Sequence, residues 1–373
     1  MKRLSRVGRL GVLVAAVAMA SVIGVVALGS CASVNPYYEA ARPHHRPDGF
    51  VNNYAPGGGK RLSEVLAWYL DRFAEGLPRP PSRYIAGYEG FEVLTPDLAM
   101  LHAAARNPDR SRVTATWIGH ATMLLQIGGL NVLTDPQFSE RAFMVQWTGP
   151  RRRVRVPVPL DKLPHIDLVV ISHSHYDHLD LDTVSALNRQ AGGPPLFAVP
   201  LGVDRWMAEN GIGHVRRFDW WDRHRVGDVD ITFVPVQHWS QRTPFDRNRT
   251  LWGGWVLRAP AYSVFFAGDT GYSKDFADIG ERIGGVDLAL IPVGAYEPRD
   301  FMRPQHVNPE ESVRIHRDVR AKLSIGIHWG TFELSDEPLD QPIGDLARAL
   351  QAADVPADRF ILLKHGETRI LAQ

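Results

Sequence analysis

The sequence predicts a layered α/β (α+β) body. Three observations carry this. From Val113 onward, short apolar or alternating runs bounded by turn residues read as strands. Helical patterns fit between several of them, as a layered domain requires. The composition is that of a globular chain: 45% hydrophobic and 22% charged over 373 residues, which excludes a mostly disordered or fibrous protein. That length suits one large domain or two smaller ones.

The N-terminus comes first. Lys2, Arg3, Arg6 and Arg9 precede an uncharged stretch from Leu10 to Tyr38, of which Leu10 to Leu28 is almost purely apolar and small. This is an export pattern, although the stretch could nearly span a bilayer. It ends Leu28-Gly29-Ser30-Cys31, which resembles the lipobox of bacterial lipoproteins. That resemblance implies lipidation of Cys31, removal of residues 1–30 and, with Ala32 following, a place in the cell envelope on the outer membrane facing the periplasm. The other reading is an uncleaved transmembrane anchor. Cys31 is the only cysteine, so no internal disulfide and no thiolate zinc cluster can form. Residues 1–30 carry four basic residues and no acidic one. A mature chain would hold 38 basic against 41 acidic residues, a net charge of −3. Such a body lacks the basic face of a nucleic-acid binder.

Residues 31–60 are rich in Pro, Gly, Asn and His without periodicity and read as a membrane tether. The folded domain then covers 61–373, beginning with a helical extension. Leu62, Val65, Leu66, Tyr69, Leu70 and Phe73 recur at helical spacing and predict an amphipathic helix. Its apolar face suits docking on the body, on a partner subunit in a homodimer, or on the membrane. A Pro-broken connector covers 78–96, and a second helix is expected over 97–106. Strands are expected at 113–118, 123–127, 131–134, 168–171, 196–199, 215–218, 230–236, 254–258, 263–267, 288–292, 323–327 and 360–363. Asn308-Pro309-Glu310-Glu311 marks a helix start, with Asn308 capping and Glu311 closing the box.

The strongest chemical signal is His173-Ser174-His175-Tyr176-Asp177-His178, directly after the apolar run Leu168-Val169-Val170-Ile171. Imidazole and carboxylate suit zinc, iron or manganese, and the absence of nearby thiolate suits a catalytic site better than a closed structural one. Alternation groups His173 with His175, while the turn can aim Asp177 and His178 elsewhere, so two metals are easier to satisfy than one. His238, Asp269 and His328 also lie just past the ends of apolar runs. A shared sheet edge would bring all of them together. Taken singly, each could equally be a packed or surface residue. Gly271-Tyr272-Ser273-Lys274-Asp275 lacks the closing glycine of a nucleophile elbow, which argues against serine hydrolysis.

These motifs resemble the metallo-β-lactamase-fold hydrolases and, more narrowly, the N-acyl-phosphatidylethanolamine phospholipase D family. The narrower resemblance rests on Thr116-Trp117-Ile118-Gly119-His120-Ala121, Leu133-Thr134-Asp135-Pro136, Gln237-His238-Trp239 and Ala267-Gly268-Asp269-Thr270-Gly271. It continues through Gly294-Ala295-Tyr296-Glu297-Pro298-Arg299, Gln305-His306-Val307, His328-Trp329-Gly330-Thr331-Phe332 and Lys364-His365-Gly366-Glu367. It covers roughly 110–373. It implies a four-layer αββα sandwich and two Zn2+ per subunit. His173, His175 and His238 would hold one ion, Asp177, His178 and His328 the other, and Asp269 would bridge them.

On that resemblance the chain is a phosphodiesterase that releases N-acylethanolamine and phosphatidic acid from membrane phospholipid. Two ions about 3.5–4 Å apart can share a hydroxide that attacks phosphorus in line. Asp177 and His306 are the catalytic candidates. Tyr176, Gln305 and His306 are the candidates for contact with substrate. His120, Asp135 and Asp180 are expected behind the ligands, Asp135 and Asp180 orienting imidazoles and His120 orienting the loop of Asp135. A lactonase or other phosphodiesterase of the same fold, or a non-catalytic envelope lipoprotein, are the competing readings. The run Arg151-Arg152-Arg153-Val154-Arg155 reads either as a solvated loop or as an anionic-lipid contact. Trp147, Trp220, Trp221, Trp239, Trp252 and Trp255 read either as groove wall or as core.

Overall fold

The computed structural model describes residues 34–55, 60, 62–80, 91–106 and 112–372. The export segment and Cys31 lie outside the described residues. A short hairpin, β1 (His45–Arg46) and β2 (Gly49–Phe50), precedes helices α1 (Leu62–Glu75) and α2 (Leu98–Arg106). Then come β3 (Val113–Gly119), β4 (Thr122–Ile127), β5 (Leu130–Thr134), β6 (Leu168–Val170), β7 (Leu196–Pro200) and β8 (Val215–Phe218). A second set follows: β9 (Arg223–Val226), β10 (Val229–Val234), β11 (Gly254–Arg258), β12 (Ser263–Phe266), β13 (Val286–Pro292), β14 (Ala321–Ile327) and β15 (Phe360–Ile361). The last strand, β16 (Thr368–Ala372), returns to pair with β3. The sheet orders are β16-β3-β4-β5-β6-β7-β8 and β15-β14-β13-β12-β11-β10-β9. In both sheets an antiparallel half leads into a parallel half: β3 to β5 then β6 to β8, and β9 to β12 then β13 to β15.

Alternation along the strands builds the layers. Leu168 and Val170 of β6 face a core shared with the second sheet, alongside Phe233, Trp255 and Phe266. Val169 and Ile171 face the other way, onto Val184 and Leu187 of α3 (Leu181–Asn188) and Val203 and Met207 of α4 (Val203–Glu209). Because both faces are covered, β6 reads as a continuous apolar run. Each such side chain contributes about 1.5–3 kcal/mol by burial. The second sheet is covered by α5 (Asp275–Ile283), α7 (Pro309–Asp318) and α8 (Gln341–Ala352), through Phe276, Ile279, Val313, Ile315, Leu346 and Leu350. A short α6 (Arg299–Met302) precedes α7. The result is the αββα sandwich that the resemblance implied. The capping box at α7 forms as expected: the Asn308 side chain accepts from the Glu311 amide at 3.0 Å.

Four differences from the sequence reading have physical reasons. The runs expected to reach Ile171, Val236 and Ala267 leave the ladder at Val170, Val234 and Phe266, because the chain turns there to present its polar residues. Strands β9 and β16 were not expected; Arg223-His224-Arg225 and Thr368-Arg369 are edge positions with little apolar alternation. Residues 34–55 are no free tether. Asn35, His44, His45 and Phe50 are buried, and Phe50 N donates to Asn248 O at 2.9 Å. Finally, α1 docks through Trp68, whose indole reaches Asp336 at 3.1 Å and stacks on Phe301, and through Arg72. Its Leu66, Tyr69, Leu70 and Phe73 face outward, Phe73 being 90% exposed.

Candidate metal centre

The site forms where the strands of both sheets end on one edge. Strand β6 runs into the loop of His173, His175, Asp177 and His178. His238 follows β10, Asp269 follows β12, His328 follows β14, and His120 sits in the tight β3–β4 turn. Gly268 lets the loops from the two sheets meet. Its φ is +62°, and a Cβ there would come within 2.5 Å of Ser172 Cβ. His120 and His328 also take left-handed φ values, 55° and 61°. They are locked to each other, His328 N donating to His120 O at 3.0 Å. Strained backbone of this kind persists where the surroundings over-determine it, often at functional sites.

Two groups of donor atoms result. His173 Nε2 lies 2.7 Å from His175 Nδ1, and His238 Nε2 lies 3.3 Å from the same atom. Asp177 Oδ2 lies 2.9 Å from His120 Nε2, 3.2 Å from His178 Nε2 and 3.3 Å from His328 Nε2. Asp269 stands between the groups. Its Oδ2 is 3.1 Å from His178 Nε2, 3.0 Å from His328 Nε2 and 4.0 Å from His238 Nε2.

The outward nitrogens of three rings are anchored: His173 Nδ1 to Ser172 Oγ at 2.9 Å, His178 Nδ1 to Asp135 Oδ2 at 2.6 Å, and His238 Nδ1 to Gln305 O at 2.9 Å. This leaves their Nε2 atoms aimed inward, which is how metal-ligating imidazoles are held. Two buried atoms of the centre, His178 Nε2 and Asp269 Oδ1, make no hydrogen bond. Buried polar atoms are rarely left so. Two carboxylates and a ring of imidazoles form a donor set that fits divalent cations.

The electrostatics agree. Burial pushes His173 and His238 well below the usual imidazole range and His175 down to about 4, so these rings are neutral and their lone pairs available. Burial opposes ionisation of Asp177 and Asp269 too, yet the neighbouring imidazoles, His178 foremost, hold both well below the usual carboxylate range. In return, and against burial, Asp269 and Asp177 raise His178 well above its usual value and His328 to about 9. Ligation at those two rings would release protons.

The profile of the Beta-lactamase superfamily domain matches residues 130–329, from β5 to just past His328. The chain belongs to the beta-lactamase superfamily. Over 269 residues it is 39% identical to "N-acyl-phosphatidylethanolamine-hydrolyzing phospholipase D 1" of Caenorhabditis elegans, covering 69% of this chain and 75% of that one. It is 28% identical over 256 residues to a "UPF0173 metal-dependent hydrolase" of Methanopyrus kandleri, covering 68% and 97%. Among solved structures, the isothiocyanate hydrolase from Delia radicum gut bacteria shares the fold, with a TM-score of 0.56, 21% identity and coverage of 69% and 98%. The chain is therefore a metal-dependent hydrolase with the metallo-β-lactamase fold.

In this beta-lactamase superfamily member a cavity of about 890 Å³ opens onto the centre. Its floor carries His175, Asp177, Asp269 and His306, and its walls include Trp68, Phe143, Tyr176, Trp239 and Phe301. His306 Nδ1 is 3.9 Å from Asp269 Oδ2, and burial lowers its pKa to about 4. Gln305 also lines the cavity, while its carbonyl holds His238. Tyr176 lines it with its ring, because its hydroxyl donates to Arg242 O at 2.8 Å.

Two expected supporting roles change. Asp135 does orient His178. Asp180 orients no imidazole: it accepts from Ser139 and Thr183 and pins the 138–139 loop to the start of α3. His120 contacts Asp177 instead of the Asp135 loop. In the basic run, Arg152 is buried on Gln137, and Arg153 pairs with Glu333 at 2.6 Å. Trp220, Trp252 and Trp255 are core, Trp239 is cavity wall, and Trp147 is 80% exposed. The sequence reading missed Thr331, which accepts from the His120 amide at 2.8 Å and meets His365 at 3.0 Å. It also missed Arg242, which clamps the metal loop through Ser174 O and Leu179 O. Neither lies in a periodic pattern. Thr331 and His365 stand in quoted motifs, and that was the available signal.

Proposed function

We propose that this hydrolase is a zinc phosphodiesterase of the phospholipase D type, cleaving N-acyl-phosphatidylethanolamine-type lipid to N-acylethanolamine and phosphatidic acid. The observation that carries this reading is the apolar-walled cavity whose floor is the metal centre. A phosphodiester with long acyl chains needs an apolar wall and a charge-neutralising floor in one space. The similarity to the Caenorhabditis elegans phospholipase supports the same substrate.

His173, His175 and His238 would hold one zinc ion, and Asp177, His178 and His328 the second, with Asp269 between them. When bound, the ions supply an activated water and neutralise charge on the phosphoryl oxygens. Asp135, Gln305 and Ser172 fix the ring nitrogens that face away. His306, neutral at the floor, is placed to hydrogen-bond a phosphoryl or leaving-group oxygen. The aromatic walls exclude water around the acyl chains. The outward apolar stripe of α1, Leu66, Tyr69, Leu70 and Phe73, continues from the cavity-lining face of that helix and suits contact with a membrane surface. A lipid on Cys31 and an outer-membrane location belong to the same reading. Mass spectrometry of the native protein tests that part: an unmodified Cys31 with residues 1–30 attached would contradict it.

Incubation of zinc-loaded protein with N-acyl-phosphatidylethanolamine in mixed micelles tests the reaction. Release of N-acylethanolamine is expected. Turnover of lactones or nucleotide phosphodiesters alone, in a parallel panel, would reassign the substrate.

A further inference from the structure

The segment 34–55 forms a strap across the body, and it passes over the backbone of His238. At one end, Asp219 takes His44 Nε2 at 2.6 Å, His45 Nε2 at 2.9 Å and the Arg42 guanidinium at 2.9 Å. These two histidines and Asp219 could be mistaken for a second metal site. However, Arg42 already neutralises the carboxylate, and His45 Nδ1 accepts from the Glu39 amide. The cluster is a satisfied clasp. At the other end, Asn53 donates to Asp275 at 2.8 Å, and Tyr54 donates to Asp278 at 2.5 Å.

Between the two ends, Asn52 brackets the backbone of His238. Its Oδ1 accepts from the His238 amide at 3.0 Å and from Trp252 Nε1 at 2.8 Å, while its Nδ2 donates to the His238 carbonyl at 2.9 Å. On the far side, the neighbouring Gln237 amide meets Thr270 Oγ1 at 3.1 Å, and Gln237 O accepts from Gly271 N at 2.8 Å. His238 thus hangs on a peptide stretch gripped from both sides. Its Nδ1 is held by the Gln305 carbonyl, so backbone position and this hydrogen bond together set where Nε2 points.

We infer that Asn52 is a positioning residue for the His173, His175 and His238 group, making the strap a working part of the metal centre. This rests on the reading that His238 ligates a metal ion. It predicts that the affinity of one ion, not both, depends on a residue in a polar segment 186 positions away in sequence.

The test measures zinc retained per chain under chelator competition, the absorption spectrum of the cobalt-loaded full-length protein, and the melting temperature, for Asn52→Ala, Asn52→Asp and Asn53→Ala. Loss of an outer partner of a ligand weakens metal binding about 10–100-fold. Asn52→Ala should weaken one ion by that range, leave the other, and alter the cobalt spectrum. Asn52→Asp keeps the acceptor and should recover part of the loss; it carries the test if the alanine variant does not fold. Asn53→Ala loosens the strap without touching His238 and should retain zinc like the parent chain. Zinc titrations of both Asn52 variants that superimpose on the parent, or an equal loss in Asn53→Ala, would overturn the inference. A parent chain that takes up no zinc would instead overturn the metal reading beneath it, and the inference with it.

Discussion

Asp135 Oδ2 lies 2.6 Å from His178 Nδ1, and both side chains are fully buried. The same carboxylate accepts from the Ser172 amide at 2.7 Å and from the Ser172 hydroxyl, which in turn meets His173 Nδ1. One residue behind the centre therefore sets rings in both donor groups. Asp135→Asn removes the charge and one acceptor while keeping the shape. It should lower metal affinity about 10–100-fold, read by chelator competition, with less effect on activity once zinc is saturating.

His175→Ala and Asp269→Ala remove atoms at which the donor groups converge. Each should lower turnover by about 10²–10³-fold or more while circular dichroism stays native. Retained turnover in either variant would contradict the ligand assignment.

The buried His365 gives a pH dependence that does not involve the centre. Burial first, then Arg152, lowers its pKa to about 3, while an unfolded histidine titrates near 6.5. The unfolded chain therefore binds a proton that the folded chain refuses. The stability associated with neutral His365 is complete above about pH 6.5 and is lost as pH falls from there towards 3. The slope is up to about 1.4 kcal/mol per pH unit. Denaturant titrations between pH 7 and 4 should show a shallower slope in His365→Gln by about one proton. Equal slopes would contradict this.

The outward face of α1 predicts a split between substrates. Leu70→Asp places a charge in the exposed stripe without touching the cavity-lining face. Turnover of lipid in vesicles should fall about tenfold, the worth of one apolar side chain at an interface. Turnover of a short-chain soluble analogue should not change. An equal fall on both would point to a folding defect in place of lost membrane contact.

The layered fold and the donor run were legible because both follow from local pattern. Leu168 to Ile171 announces a buried strand, and His173 to His178 can only lie past its end. What escaped the sequence is held by partners far apart. Asn52 and His44 sit in a stretch without periodicity, because their hydrogen bonds reach residues 186 and 175 positions away. Asp180 was expected to orient an imidazole, yet at the start of the helix beginning at Leu181 it accepts from Ser139. His120 lay next to the right partners by motif, but its left-handed backbone turns the ring to Asp177. Strands β9 and β16 escaped because Arg223-His224-Arg225 and Thr368-Arg369 carry little apolar pattern.

The central claim is that the two donor groups hold two zinc ions that act on a membrane phosphodiester. Zinc per chain, measured alongside turnover of N-acyl-phosphatidylethanolamine, tests it most directly. The account predicts two zinc ions per chain, with N-acylethanolamine and phosphatidic acid released, activity lost to a chelator and restored by zinc. Fewer than one ion per chain after zinc loading, or two ions without turnover of this lipid, would contradict it.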